Sequence, residues 1–269
     1  MILLNGQPSE CIPITDRGLQ YGDGCFTSML VKHGVVSAWM LHDKRLQTNV
    51  KYLGIMPIDW NDVCHWVRQA AKSQQYAKKS IVKVIITRGT GGRGYNPIGC
   101  HSPNVLVSTH TYPLIYEKWC KEGIQVVLLE QRLGISPLAG FKCLNRLEQV
   151  MLKREVQARG ADDGVVCDMH DHLVETSNSN LFWRKDNTLF TPNLLLAGVC
   201  GTMREQVIAV VGELGFDLQE VSIGSEVLRD ADEVFITNAI MGIIPVRCIE
   251  NIHYNSFDAC KTIILRLCA

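Results

Sequence analysis

Apolar residues recur along this chain with two different periods, and the alternation between them predicts mixed α/β structure. Cys25 to Val31, Ile81 to Thr87 and Asn104 to Thr109 have the length and composition of strands. Leu41 to Leu53 and Trp60 to Ala71 have helical spacing, with Leu46, Val50 and Leu53 on one face and Gly54 as a stop. The pattern breaks around Thr111 to Tyr116. It resumes with a strand at Ile124 to Leu129, an apolar segment around Lys142 that leads into a helix ending near Gly160, and short strands at Gly164 to Cys167, Asn180 to Trp183 and Leu189 to Thr191. A helix from Thr202 carries Met203, Val207, Val210, Val211 and Leu214 on one face, and Gly215 closes it. The break divides the chain into a smaller N-terminal α/β domain (1–110), a linker (111–118) and a larger C-terminal domain (119–269).

Composition narrows the function. The 269 residues contain 27 basic and 27 acidic side chains, so no net field attracts nucleic acid or an anionic membrane, and a small-molecule partner is expected. Eleven cysteines, an odd number without a Cys-x-x-Cys pair, read as reduced and mostly buried thiols. The N-terminus lacks the basic lead and apolar core of a signal peptide. No run approaches the roughly 18 apolar residues of a membrane span. A cytoplasmic protein is the expectation.

Several motifs carry candidate chemistry. Lys142, in Leu138-Ala-Gly-Phe-Lys-Cys-Leu-Asn-Arg-Leu-Glu148, sits where apolar neighbours disfavour an ammonium, the setting in which a lysine becomes a nucleophile. Gly89-Thr-Gly-Gly-Arg-Gly94 fits the dinucleotide pattern G-x-G-x-x-G, but Tyr95-Asn96-Pro97 follows, and a residue before proline is pushed out of helical geometry. With no helix to meet a pyrophosphate, the segment reads as a glycine-rich substrate loop. His170-Asp171-His172 is better explained as a hairpin turn than as a metal site, because alternate residues of an extended segment point to opposite faces. No metal is expected, and no Walker loop, His-Glu-x-x-His or Gly-x-Ser-x-Gly is present.

Taken in order, Asp16-Arg-Gly-Leu-Gln-Tyr-Gly-Asp-Gly-Cys-Phe26, the Lys142 segment, His172-Leu-Val-Glu-Thr-Ser-Asn-Ser-Asn-Leu-Phe-Trp183, Ala197-Gly-Val-Cys-Gly-Thr-Met-Arg204 and Asp232-Glu-Val-Phe-Ile-Thr-Asn-Ala239 resemble the fold-type IV pyridoxal-phosphate enzymes. That family includes branched-chain and D-amino-acid transaminases and the aminodeoxychorismate lyases. The segments 22–27, 88–95 and 144–150 most resemble the lyases, and Thr27 stands where many transaminases carry glutamate.

The resemblance implies two α/β domains with pyridoxal 5'-phosphate between them, held covalently by Lys142. It assigns Glu175 to the pyridine nitrogen, and Arg45, Asn180, Gly201 and Thr202 to cofactor binding. Thr237 and Asn238 are divided between phosphate and substrate in an order left open. The implied reaction converts 4-amino-4-deoxychorismate to 4-aminobenzoate and pyruvate. Its two carboxylates would be met by Arg93 first, with Arg88, Asn238 and Thr27 as further substrate-binding candidates. A homodimer is implied as well. The alternatives are a transaminase on the same scaffold and, more remotely, a cofactor-binding protein without turnover.

Overall fold

In the computed structural model, which describes residues 1–55 and 57–268, the chain forms two structural units. The first comprises Met1–Pro113 together with Lys142–Asn145, and the second Leu114–Phe141 together with the chain from Arg146 onward.

The first unit holds β1 (Ile2–Leu4), β2 (Gln7–Pro8), α1 (Arg17–Tyr21), β3 (Gly24–Lys32), β4 (Val35–Val36), α2 (Trp39–Leu53), α3 (Trp60–Lys72), β5 (Lys79–Thr87) and β6 (Asn104–Thr111). Its strands make one antiparallel sheet in the order β2-β1-β6-β5-β3-β4. Strand pleating sends Cys25, Met29, Val31, Val82, Val84, Ile86, Val105 and Val107 to one face. There they form a single core with Leu46 and Val50 of α2 and Val63, Val67, Ala70 and Ala71 of α3. Asp59 caps α3 by accepting the N–H groups of Asn61 and Asp62. Gly54, at φ 60°, ends α2 where its periodicity predicts.

Lys142–Asn145 belongs to this unit through hydrogen bonds, although the sequence reading placed it in a 119–269 domain. Phe26 N–H donates to the Lys142 carbonyl and Leu144 N–H to the Gly24 carbonyl, both at 3.0 Å, so the segment continues the sheet beside β3. Backbone pairing overrides chain order.

The second unit holds α4 (Ile115–Glu122), β7 (Ile124–Leu133), α5 (Leu147–Ala158), β8 (Asp163–Asp168), β9 (Leu173–Thr176), β10 (Asn180–Lys185), β11 (Thr188–Pro192), α6 (Thr202–Val211), β12 (Asp217–Val221), β13 (Glu233–Asn238), β14 (Gly242–Ile249), β15 (Ile252–His253) and α7 (Asp258–Cys268). Helix α4 begins inside the stretch expected to be linker. The sheet order is β12-β11-β10-β13-β14-β7-β8-β9, with β15 on β14. Pairs β11–β12, β14–β7 and β7–β8 are parallel and the rest antiparallel. β8 and β9 are buried along their whole length. α6 and α7 cover Phe182, Leu189, Phe235 and Ile243, with Phe182 and Phe235 stacked at 5.1 Å.

Candidate active site

In the first unit the site grows from polar residues set into the apolar stripe of α2. His42 and Asn49 flank Leu46 at i, i+4 and i+7, so all three turn toward the core, and the two polar side chains must find partners there. His42 Nδ1 lies 2.7 Å from Thr27 Oγ1, with both residues buried. Burial, followed by the positive charges of Arg45 and Lys142, pushes the His42 pKa down to about 3, so its ring is neutral at neutral pH. With its amide turned to the orientation that satisfies both neighbours, the Asn49 carboxamide donates to the Arg45 carbonyl and accepts the Lys142 N–H, each at 3.2 Å, tying the lysine to the helix that carries the arginine. Lys142 itself is half-buried, its Nζ 4.6 Å from the centre of the Phe26 ring.

Two expected roles change with this geometry. Thr27 faces the α2 core, fully buried and bonded to His42, so it is not available to a substrate. Arg88 donates from Nε to Asp23 Oδ2 (2.7 Å), from Nη1 to the Gly54 carbonyl (2.8 Å) and from Nη2 to the Leu53 carbonyl (2.7 Å). Its guanidinium secures the end of α2 and is spent there. Arg93 is exposed on the loop joining β5 to β6, where its N–H and carbonyl pair with Asn96 at 3.2 and 3.1 Å. No helix follows the loop glycines. The chain returns to β6, and Gly89 and Gly92 serve left-handed turns (φ 80° and 69°) whose missing β-carbons make room for Ser102 and Asn96 carbonyls.

In the second unit Glu175 lies on β9, 5% exposed, with Oε2 accepting the Val199 N–H at 3.0 Å. Asn180 at the start of β10 donates to the Val199 carbonyl (2.8 Å) and accepts the Gly201 N–H (3.1 Å), which fixes the approach to α6. Gly201 is the N-cap, and no side chain caps the helix. Thr237 is the cross-strand partner of Asn180, so the two side chains share a face of the sheet. The hydroxyls of Thr202 and Thr237 are buried and have no hydrogen-bond partner. Leaving a buried hydroxyl unsatisfied costs about 1–3 kcal/mol. Two such groups beside the positive end of a helix define a cradle for an oxyanion. Asn238, the alternative to Thr237, donates to Ser179 Oγ (3.1 Å) and accepts the N–H groups of Ile240 (3.0 Å) and Met241 (2.9 Å), which closes the turn into β14. Of that pair, Thr237 is the side chain whose polar atom has no partner in the fold.

His170–His172 forms the turn between β8 and β9, with Asp168 Oδ1 accepting the N–H groups of both histidines at 2.8 and 3.0 Å. Among the described residues, no three His, Cys, Asp or Glu side chains are grouped to hold a metal. Sequence reasoning missed His42 and Asn49, and it singled out the 16–26 motif without assigning roles to Asp16, Arg17 or Asp23. The signal for the first two was polar residues at positions of the α2 stripe.

Residues 24–249 match the family described as Amino-transferase class IV. The chain is 39% identical, over 91% of its length and 90% of the relative's, to an aminodeoxychorismate lyase of Vibrio harveyi. A D-alanine aminotransferase of Bacillus licheniformis is 27% identical over 93% of this chain and 88% of its own. The solved structure of 4-amino-4-deoxychorismate lyase from Pseudomonas aeruginosa superposes with a TM-score of 0.93 at 32% identity, covering 99% of this chain and 98% of that one. The chain belongs to the class IV aminotransferase family, whose cofactor is pyridoxal 5'-phosphate. The unpartnered hydroxyls of Thr202 and Thr237 and the free end of α6 fit its phosphate, and buried Glu175 fits a pyridinium.

Proposed function

We infer that this chain is a pyridoxal-phosphate-dependent 4-amino-4-deoxychorismate lyase that forms 4-aminobenzoate and pyruvate. The observation that carries the reading is the level of identity. Over nine-tenths of both chains it is 39% to a lyase but 27% to the D-alanine aminotransferase.

The chain's residues divide the work. Thr202 and Thr237 donate to phosphate oxygens, and the first amides of α6 add the helix dipole. Arg45 supplies a two-pronged cation. The Glu175 carboxylate holds a proton on the pyridine nitrogen, and the Val199 N–H fixes its orientation. When bound, the cofactor supplies an electron sink for the bond broken at the amine-bearing carbon. Lys142 Nζ would hold the cofactor and, as a free amine, would accept the proton from that carbon. His42, neutral beside two cations, adds no third positive charge to this group. Arg93 binds a substrate carboxylate. Aromatisation of the product ring drives the elimination, so orientation is the protein's main task.

The protein acts as a cytoplasmic homodimer. Eleven cysteines, an odd number with no Cys-x-x-Cys pair, suit a reducing compartment. No helix among the described residues is long and apolar enough to cross a membrane. Leu30, Ile81, Ile85 and Leu106 are part-buried on the second face of the six-stranded sheet, which they share with Ser28 and Lys83, a mixed surface suited to a second copy. Purified protein incubated with aminodeoxychorismate should release aminobenzoate and pyruvate in equal amounts. Amino transfer from D-alanine to 2-oxoglutarate with no aminobenzoate formed would overturn the reading in favour of a transaminase.

A further inference from the structure

One buried arginine has no part in the reaction as described. Arg17 opens α1 and is 3% exposed. Its Nε donates to Asp23 Oδ2 at 2.9 Å, Nη1 to the Gly94 carbonyl at 2.8 Å and Nη2 to the Tyr95 carbonyl at 3.2 Å. The Tyr21 ring lies 4.8 Å from its Cζ and meets the Tyr95 ring edge-on at 5.5 Å. The carbonyls of two consecutive residues, Gly94 and Tyr95, are thus gripped by one planar cation, immediately after Arg93.

Charge balance alone does not require this arrangement. Asp23 already receives Arg88 Nε on the same oxygen, at 2.7 Å. Burial would raise the Asp23 pKa, yet the hydrogen bonds and charges of Arg88 and Arg17 hold it below the usual range. The second arginine leaves both of its terminal nitrogens for the loop. The loop needs them, because Gly91, Gly92, Gly94 and Gly99 all adopt positive φ and give the backbone little stiffness of its own. Its base is pinned separately: Arg17 N–H donates to the Gly89 carbonyl at 2.9 Å, and Asp16 Oδ2 accepts from Thr87 Oγ1 and Asn104 Nδ2 at 2.7 Å each. The tip depends on the Arg17 side chain and on the Arg93–Asn96 pair.

We propose that Arg17 is a positioning residue for substrate recognition, fixing through the Gly94 and Tyr95 carbonyls the loop tip from which Arg93 meets a substrate carboxylate. The proposal rests on the reading of Arg93 as that partner. A fixed tip lowers the ordering cost of binding, so Arg17 acts on substrate capture and not on the chemical step.

The decisive variant is Arg17→Lys, which keeps the charge beside Asp23 but cannot span both carbonyls. The cofactor absorption spectrum should be unchanged, kcat should stay within about threefold, and KM should rise by roughly 10- to 100-fold. Trypsin should cut the exposed Arg93–Gly94 bond several-fold faster at equal thermal midpoint, a readout independent of turnover. Arg17→Lys combined with Arg93→Ala should be no weaker than Arg93→Ala alone, since both act through one contact. Arg17→Gln, uncharged but able to donate to one carbonyl, repeats the test if lysine is not tolerated. Additive losses, equal cutting rates, or an unchanged KM in Arg17→Lys while Arg93→Ala raises it would overturn the positioning role. An unchanged KM in Arg93→Ala itself removes the carboxylate reading, and the role of Arg17 in recognition falls with it.

Discussion

Asn180 Oδ1 accepts the Gly201 N–H at 3.1 Å, and a β-carbon at position 201 would fall on that same oxygen. Gly201 has the ordinary extended backbone of an N-cap, φ −69° and ψ 142°, so its lack of a side chain serves contact and not conformation. Gly201→Ala should displace Asn180 and turn the first amides of α6 away from the phosphate cradle. Cofactor titration should show affinity weakened by roughly tenfold or more, one lost charge-assisted contact being worth about 1.5–3 kcal/mol. Unaltered affinity in this variant would show that the phosphate lies elsewhere.

The two orphaned hydroxyls give a test with opposite signs. Thr202→Val and Thr237→Val keep shape while removing a buried polar group that has no partner in the cofactor-free chain. Each should leave the apo-protein as stable or up to about 1 kcal/mol more stable, and each should bind pyridoxal phosphate more weakly. Apo-proteins destabilised by valine, with cofactor affinity retained, would mean that the hydroxyls serve the fold.

Much of this arrangement was legible in the chain, and what was not has a common physical cause. The Gly54 stop, the start of α6 at Thr202 and the loop without a helix after Gly94 follow from local rules, and the structure contains all three. The attachment of Lys142–Asn145 to β3 depends on pairing across more than a hundred residues, which no local period reports. Thr27, Arg88 and Asn238 are polar residues in motif positions, but their hydrogen bonds go to His42, to the end of α2 and to the turn before β14. Residue type identified the motif. Only the partners reveal which groups remain for ligand.

Lys142 should be the residue that carries the cofactor. Its backbone is held at N–H by Asn49 and at the carbonyl by Phe26, which fixes where the side chain begins. Borohydride treatment of the loaded protein followed by peptide mapping should find a pyridoxyl group on Lys142. Recovery of the label on another lysine would refute the assignment.

For Glu175, the substitution to glutamine preserves volume and can still accept the Val199 N–H, now 3.0 Å from Oε2. What it loses is the charge that keeps a proton on the pyridine nitrogen. Glu175→Gln should therefore bind cofactor and yet lose roughly two to three orders of magnitude in kcat, the usual cost of removing an electrostatic partner. Turnover close to that of the unsubstituted enzyme would point to another group at the nitrogen.

The buried His42 links the site to acid stability, and the direction follows from its two pKa values. An unfolded histidine takes up a proton below about pH 6.5, whereas burial and the cations of Arg45 and Lys142 delay uptake in the folded chain to about 3. Between these values the unfolded state binds more protons, so stability rises with pH across the window and is lost as pH falls through it. Above about pH 6.5 both states are neutral at this position and the dependence vanishes. His42→Gln keeps a hydrogen-bonding partner for Thr27 and removes the titration. Its thermal midpoint should fall less steeply between pH 7 and 4.5 than that of the unsubstituted protein, while carboxylates such as Asp23 contribute equally to both. Parallel curves for the two proteins would mean that His42 charges freely in the folded state, contrary to its closed position between Thr27 and the α2 core.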